Sequence, residues 1–269
     1  MRRTALDRAW RTCGALAVDA LAWSLGPAWL AEENPALVGA RQKALADLAR
    51  MRCEPRPLAR PVIILNGYHA WAGVVESIRA RVAEVTSGER HGFLAISFMD
   101  QACFEAQRDR VLREVGAWAG PDAEVDVIGI SMGGLVGRHS AMRGHADGRV
   151  LRVKRFITLS SPHKGAMLAK IVAPDRTARS MRPGSDFLRQ IDGAPSSIER
   201  YLPFTQLRDP VVGARNTAPD GHHPLWCSGS LVLSHFSVSH NPLVLATIAR
   251  ELRGEPPLFD WPAGPPPRN

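Results

Sequence analysis

The sequence is poor in cysteine and in aromatic residues. Its 269 residues include 4 cysteines, and Phe, Trp and Tyr together make up 6% of the chain. No two cysteines lie close together in the sequence, so there is no CxxC metal or redox motif, and four are too few for a disulfide framework. We therefore expect small buried thiols in a reducing, cytoplasmic compartment, with a Cys53–Cys227 disulfide left open as an alternative.

Dense runs of one charge are also absent. Lys and Arg number 34 against 26 Asp and Glu, giving a net charge of +8 carried mostly by scattered arginines. A nucleic-acid-binding surface would combine a basic stripe with interleaved aromatic residues, and this chain lacks that combination. No cluster of metal ligands stands out either. The sequence therefore predicts no nucleic-acid partner, no metal and no cofactor.

The first 60 residues are predicted to form an N-terminal helical extension. Residues 12–31 are largely apolar, but Asp19 and the Gly26-Pro27 pair are unfavourable in a bilayer. The favoured interpretation is an amphipathic helix followed by a second helix over residues 35–50. Peripheral membrane contact through residues 12–31 and an export signal remain alternatives.

Beyond residue 60 the chain alternates between short β-branched runs and helical stretches. This alternation predicts one α/β domain over residues 61–255, with a mostly parallel central sheet flanked by helices. A Pro- and Gly-containing interval at about residues 166–200 interrupts it and predicts a lid-like insertion. Residues 256–269 form a proline-rich tail. The predicted strands cover residues 62–65, 93–98, 125–129, 155–159, 201–207 and 225–233.

A G-x-S-x-G motif at residues 129–133 stands between a predicted strand and a predicted helix. That is the setting of a nucleophile elbow, a sharp turn that exposes a serine hydroxyl at the edge of a sheet. The turn leaves no room for a Cβ at the positions of Gly129 and Gly133. The helix that follows favours negative charge at its N-terminus. Ser131 is therefore the candidate nucleophile.

Two segments carry a resemblance to a known family. Residues 127–138, VIGISMGGLVGR, resemble the nucleophile segment of bacterial lipases and esterases of the α/β-hydrolase superfamily. Residues 158–165, TLSSPHKG, resemble the T-L-x-T-P-H-x-G stretch that these enzymes carry after the next strand. The resemblance covers residues 61–253 and implies the α/β-hydrolase fold. Asn66-Gly67-Tyr68 replaces the usual His-Gly, which is a departure from the family pattern.

A nucleophilic serine needs a base and an orienting carboxylate, and in this fold they follow the serine in the order acid, then histidine. His235 is favoured as the base because its surroundings resemble the family's terminal pattern, and His240 is the alternative. Asp209 is favoured as the acid because it resembles the family's D-x-x-V turn. Asp220, in a predicted β-turn, is the second candidate.

The oxyanion hole is expected to consist of two backbone N–H groups, those of Met132 and Tyr68. His163 is expected to shape the rim of the substrate pocket, and Leu168 and Phe187 of the lid-like segment are further pocket candidates. The apolar character of the lid residues suggests a substrate with a hydrophobic acyl chain. The same residues could equally belong to the local hydrophobic core.

These observations predict a serine hydrolase that cleaves small-molecule carboxylic esters, as an esterase or lipase does, through an acyl-enzyme on Ser131. The same triad would serve an acyltransferase. A non-catalytic binding protein of the same fold is the third hypothesis, from a different functional class.

Overall fold

The computed structural model describes residues 34–70, 72–86, 92–99, 103–229, 234–261 and 264–267. The segment 12–31 lies outside these residues. The described chain contains a six-stranded sheet in the order β2-β1-β3-β4-β5-β6, and every neighbouring pair is parallel. The strands are β1 (Val62–Leu65), β2 (Phe93–Ile96), β3 (Glu124–Ile130), β4 (Arg152–Leu159), β5 (Arg200–Gln206) and β6 (Leu225–Cys227).

Helices cover both faces of the sheet, which confirms the predicted α/β architecture. The α-helices are α1 (Ala40–Cys53), α2 (Ala72–Val85), α3 (Phe104–Ala119), α4 (Met132–Ala141), α5 (Arg176–Ser180), α6 (Asp186–Gly193), α7 (Ser234–Ser237) and α8 (Pro242–Arg253). Short 3-10 turns occur at Pro35–Leu37, Leu168–Lys170, Ala214–Asn216 and Val238–His240.

Strand β1 shows why its sequence is continuously apolar. All four of its residues are buried. Val62 and Ile64 pack into a core with α1, α2 and α8, whereas Ile63 and Leu65 pack into a second core with α3 and α4. Successive side chains point to opposite faces, so a strand covered on both sides needs apolar residues at every position.

Part of the N-terminal extension packs into the same core as β1. Ala44, Leu48 and Met51 of α1 are buried there. The buried Asp47 carboxylate accepts hydrogen bonds from Nε and Nη2 of Arg250 in α8 at 2.6 and 2.8 Å. The helix predicted over residues 35–50 is split, because Gly39 between the 3-10 turn and α1 has a φ of 70°.

The lid-like segment carries more regular structure than its sequence suggests. It contains the 3-10 turn at Leu168–Lys170 and the helices α5 and α6. Phe187, Leu188 and Ile191 of α6 are buried in the core shared with α3 and α4. Helix α6 is amphipathic and too short to be stable in isolation. The packing of its apolar face against the core therefore stabilises it.

The last strand is shorter than predicted. It ends at Cys227, and residues 230–233 of the predicted strand lie outside the described part of the chain. The chain at Gly229 passes close to β5, since a Cβ there would lie 2.3 Å from the Leu207 carbonyl oxygen. Ser234 donates to that same oxygen at 2.7 Å, which fixes the start of α7.

Cys53 and Cys227 are both free thiols, so the alternative of a disulfide between them is wrong. Cys227 is buried in β6, whereas Cys53 is exposed at the end of α1. No helix within the described ranges has the length and apolar character needed to cross a bilayer.

Candidate active site

Ser131 occupies the turn between β3, which ends at Ile130, and α4, which begins at Met132. Its backbone has a φ of 50° and a ψ of −121°, a region that L residues seldom adopt. The Ser131 N–H donates to the Leu159 carbonyl at 2.8 Å, and the Gly134 N–H donates to the Ser131 carbonyl at 3.0 Å. These bonds from β4 and α4 hold the strained conformation in place.

The glycines of the motif are required by backbone contacts. A Cβ on Gly133 would lie 2.2 Å from the Leu65 carbonyl oxygen, and a Cβ on Gly129 would lie 2.6 Å from Gly134 Cα. Both distances are far below van der Waals contact, and the obstructing atoms belong to the main chain. Gly134 is equally constrained, because a Cβ there would lie 2.2 Å from Ser161 Oγ.

The structure brings Ser131, His235 and Asp209 together. His235 Nε2 lies 3.1 Å from Ser131 Oγ, and His235 Nδ1 lies 2.9 Å from Asp209 Oδ2. The Asp209 side chain is fully buried and that of His235 is 8% exposed. This geometry is a continuous hydrogen-bond chain from hydroxyl to carboxylate, in which a proton can pass from Ser131 to an imidazole oriented by Asp209.

The alternative candidates lie elsewhere. His240 Nδ1 lies 2.9 Å from the hydroxyl of its neighbour Ser239. Asp220 is exposed and forms an ion pair with Lys164 at 2.8 Å. Neither residue forms a hydrogen bond with Ser131 or His235 among the described residues.

Asp209 is held as a carboxylate by three hydrogen bonds. Its Oδ1 accepts the N–H groups of Val211 and Val212, each at 2.9 Å, while Oδ2 faces His235. Burial by itself would raise the pKa of Asp209, but the hydrogen bond with His235 and the two N–H groups outweigh it and lower the pKa. The carboxylate is therefore ionised and can fix the tautomer of His235.

The loop after β1 approaches the nucleophile from the other side. A Cβ on Gly67 would lie 3.4 Å from Ser131 Cβ. The fully buried Asn66 shapes this loop: its Oδ1 accepts the Gly67 N–H at 2.9 Å and its Nδ2 donates to the Ala70 carbonyl at 2.8 Å. Sequence reasoning did not assign Asn66 a role, although a polar residue directly after a buried strand was a usable signal.

Two N–H groups are available near Ser131. Met132 is the first residue of α4, where no intrahelical acceptor exists for the N–H. Within the described ranges, the N–H groups of Met132 and Tyr68 have no backbone or side-chain acceptor.

No protein-family model and no curated protein matches the sequence. The mature form of a Bacillus licheniformis lipase superposes with a TM-score of 0.51 at 17% identity, over 74% of this chain and 94% of that one. Its propeptide form gives 0.53 at 17% identity, over 78% and 54%. A Lactobacillus plantarum protein gives 0.51 at 15% identity, over 73% and 92%.

The parallel sheet, its flanking helices and these superpositions agree. The chain has the α/β-hydrolase fold. In this α/β-hydrolase fold Ser131 lies directly after the carboxyl end of β3, in the turn that leads into α4.

The three pocket candidates differ in where the α/β-hydrolase fold places them. His163 is fully buried, with Nε2 at 3.1 Å from Thr158 Oγ1, so the expectation that it shapes the pocket rim is wrong. Phe187 stacks on Phe104 with ring centroids 3.9 Å apart, which makes it part of the packing between lid-like segment and body. Leu168 is exposed and stays a candidate. In the described part of this fold no three His, Cys, Asp or Glu side chains are grouped as metal ligands.

Proposed function

We propose that this protein is a serine hydrolase that cleaves carboxylic esters through an acyl-enzyme on Ser131. The observation that carries the proposal is the hydrogen-bond chain from Ser131 through His235 to Asp209, with distances of 3.1 and 2.9 Å. It is supported by the strained elbow, which exposes the serine, and by free N–H groups beside it.

The first half-reaction forms the acyl-enzyme. Ser131 Oγ attacks the ester carbonyl carbon while His235 Nε2 takes the hydroxyl proton. The carbonyl oxygen becomes an oxyanion that accepts hydrogen bonds from the Met132 and Tyr68 N–H groups, and such donors contribute about 3 kcal/mol each. When the tetrahedral intermediate collapses, His235 gives the proton to the departing alcohol.

The second half-reaction releases the acid. Water attacks the acyl-enzyme carbonyl as His235 again accepts a proton, and the same two N–H groups stabilise the second oxyanion. Collapse returns the proton from His235 to Ser131 Oγ. Throughout, ionised Asp209 stabilises the transient imidazolium without being protonated.

A hydrophobic acyl group is the substrate that the surroundings favour. Large apolar side chains are exposed in the segments that follow the carboxyl ends of β2, β4 and β6, the edge at which Ser131 lies. Ile171 is 83% exposed and Phe236, beside His235, is 62% exposed. The exposed set at this edge is Met99, Met167, Leu168, Ile171, Val172 and Phe236. Exposed apolar groups gathered at one edge mark a binding surface for an apolar partner.

The test compares wild type with Ser131→Ala on p-nitrophenyl esters of graded acyl length. We expect turnover and fluorophosphonate labelling in wild type, loss of both in Ser131→Ala, and a higher kcat/KM for medium than for acetyl chains. Ser196→Ala, in the loop before β5 at the opposite edge, is the matched control and should behave as wild type. Labelling that survives in Ser131→Ala would refute the assignment.

Product analysis with a competing alcohol separates hydrolysis from acyl transfer. A hydrolase releases free acid as its main product even when the alcohol is present. Ester formed with the alcohol in preference to free acid would instead identify an acyltransferase using the same three side chains.

A further inference from the structure

One carboxylate joins the lid-like segment to the loop after β1. Asp175 is the N-cap of α5, where its Oδ1 accepts the Ala178 N–H at 2.7 Å. Its Oδ2 accepts the hydroxyl hydrogen of Tyr68 at 2.6 Å. His69 Nε2 lies 3.4 Å from the same oxygen. A single side chain therefore caps a helix of the insertion and holds two neighbouring residues of the loop beside Ser131.

That loop has a conformation that needs outside support. His69 has a φ of 48°, a left-handed value that costs energy for a non-glycine residue. Asn66 holds the buried side of the loop through Gly67 and Ala70. Asp175 holds the outer side through the phenol. Burial and the neighbouring Asp175 raise the pKa of Tyr68 to about 12, so the hydroxyl remains a donor at neutral pH.

The position of this loop matters because its own main chain would supply an oxyanion donor. Such a donor is effective only within about 2.7–3.1 Å of the oxyanion, so a small rotation of the Tyr68 peptide would weaken it. A hydroxyl-to-carboxylate bond is roughly twice as strong as one between neutral groups. Anchoring the Tyr68 side chain therefore restrains the peptide to which it is attached.

We propose that Asp175 is a positioning residue for the oxyanion hole, acting through the Tyr68 hydroxyl. When the lid-like segment is seated, Asp175 holds Tyr68 so that its backbone N–H faces the carbonyl oxygen of the substrate. The inference rests on the proposed hydrolase function and assigns to the lid-like segment a part in catalysis beyond covering the substrate.

Two variants break the link from either side. Tyr68→Phe removes the donor and keeps the ring. Asp175→Ser keeps a side chain able to cap α5 but one too short to reach Tyr68. Each should lower kcat about 10-fold, less than the loss of a whole oxyanion donor, with KM changed less than about two-fold. The double variant should lose no more than either single variant, because both remove the same interaction.

A trifluoromethyl ketone inhibitor supplies a readout that a purely structural role would not move. Its adduct with Ser131 carries an oxyanion, so its Ki should rise by the same factor as kcat falls. Ser185→Ala is the matched control: Ser185 caps α6 of the same insertion, accepting the Leu188 N–H at 3.3 Å, and among the described residues it forms no hydrogen bond with the loop after β1. It should leave kcat and Ki unchanged.

The outcomes separate the two proposals. If wild type is active and both Tyr68→Phe and Asp175→Ser keep the full kcat, only the positioning role is overturned. The same holds if the losses in kcat add up in the double variant, or if Ser185→Ala loses as much kcat as the two test variants. A wild type that neither turns over esters nor reacts with a fluorophosphonate overturns the hydrolase and this inference with it. Thermal unfolding of every variant identifies a loss of kcat that is due to misfolding. If Tyr68→Phe does not fold, a wild-type Ki in a folded Asp175→Ser still overturns the positioning role of Asp175.

Discussion

Asp209 is the residue that orients the imidazole of His235. Its carboxylate accepts the N–H groups of Val211 and Val212 and faces Nδ1 of the imidazole, so the proton of the neutral ring is placed on Nδ1 and the lone pair of Nε2 faces Ser131 Oγ. Asp220, the other candidate acid, pairs with Lys164 at the surface. The two aspartates differ in their burial and in their hydrogen-bond partners. Neither property can be read from the sequence motif around each residue.

At the residue scale, we expect Asp209→Asn to lower kcat by about 10³- to 10⁴-fold while the fold is retained, because an amide can donate to Nδ1 and stabilise the wrong tautomer. Steady-state kinetics with a p-nitrophenyl ester measure the loss. Asp220→Asn is the control and should keep at least half of the wild-type kcat. A larger effect for Asp220→Asn than for Asp209→Asn would reverse the assignment of the acid.

The next scale is the element, where the elbow between β3 and α4 depends on close main-chain contacts. Gly133 lies so close to β1 that a Cβ would meet the Leu65 carbonyl oxygen at 2.2 Å. Main-chain atoms of a central strand cannot yield as a flexible side chain can. The sharp turn that presents Ser131 is therefore fixed by the packing of α4 against β1.

For this element, Gly133→Ala should reduce the free energy of unfolding by about 1–3 kcal/mol through overpacking and should also lower kcat. Gly193→Ala is the matched control, since its Cβ would have no neighbour within 4 Å at the end of α6. Urea unfolding followed by circular dichroism compares the two. Equal stability of Gly133→Ala and wild type would show that the turn tolerates a side chain.

At the scale of the whole molecule, α1 and α8 join the N-terminal extension to the domain. Arg50 and Arg250 both donate to Asp47, and Arg253 donates to the Glu54 carbonyl at 2.8 Å. Burial would raise the pKa of Asp47, but its hydrogen bonds with Arg250 and Arg50 outweigh that effect and lower the pKa. A carboxylate whose pKa is lowered by folding stabilises the fold at pH values above its ordinary pKa of about 3.9.

Asp47→Ala should therefore reduce the free energy of unfolding at pH 7 by about 2 kcal/mol, less than for a fully buried ion pair because Arg50 keeps contact with water. Asp122→Ala, which breaks an exposed ion pair with Arg152, should cost less than about 1 kcal/mol. Denaturant unfolding measures both differences.

The pH dependence of the same variant has a defined sign. The difference in free energy of unfolding between wild type and Asp47→Ala should be full at neutral pH. It should shrink as the pH falls below about 4, because the unfolded carboxylate then takes up a proton while the folded one is still ionised, and the ionic contribution is lost once the pH is below the lowered pKa of the folded state. A difference that grows on acidification would contradict the lowered pKa of Asp47.

Local patterns in the sequence were sufficient to predict the strands of the sheet and the presence of helices beside it. The apolar run of β1, the alternation that follows it and the glycines around Ser131 depend on neighbours a few residues away, and the observed bounds of β1 match the predicted ones. They were readable because a doubly covered strand and a tight turn restrict residue types at each position. His163 was misplaced because a histidine in a loop gives no local sign of full burial.

The sequence alone determined the α/β architecture and the serine in its strained turn, since both follow from short-range periodicity and from where a Cβ fits. Only the tertiary structure decided which acid and which base meet that serine, because Asp209, His235 and Ser131 come from segments up to 104 residues apart. The contact of Asp175 with Tyr68 spans 107 residues and was equally invisible, since a side-chain bond across such a distance has no local pattern.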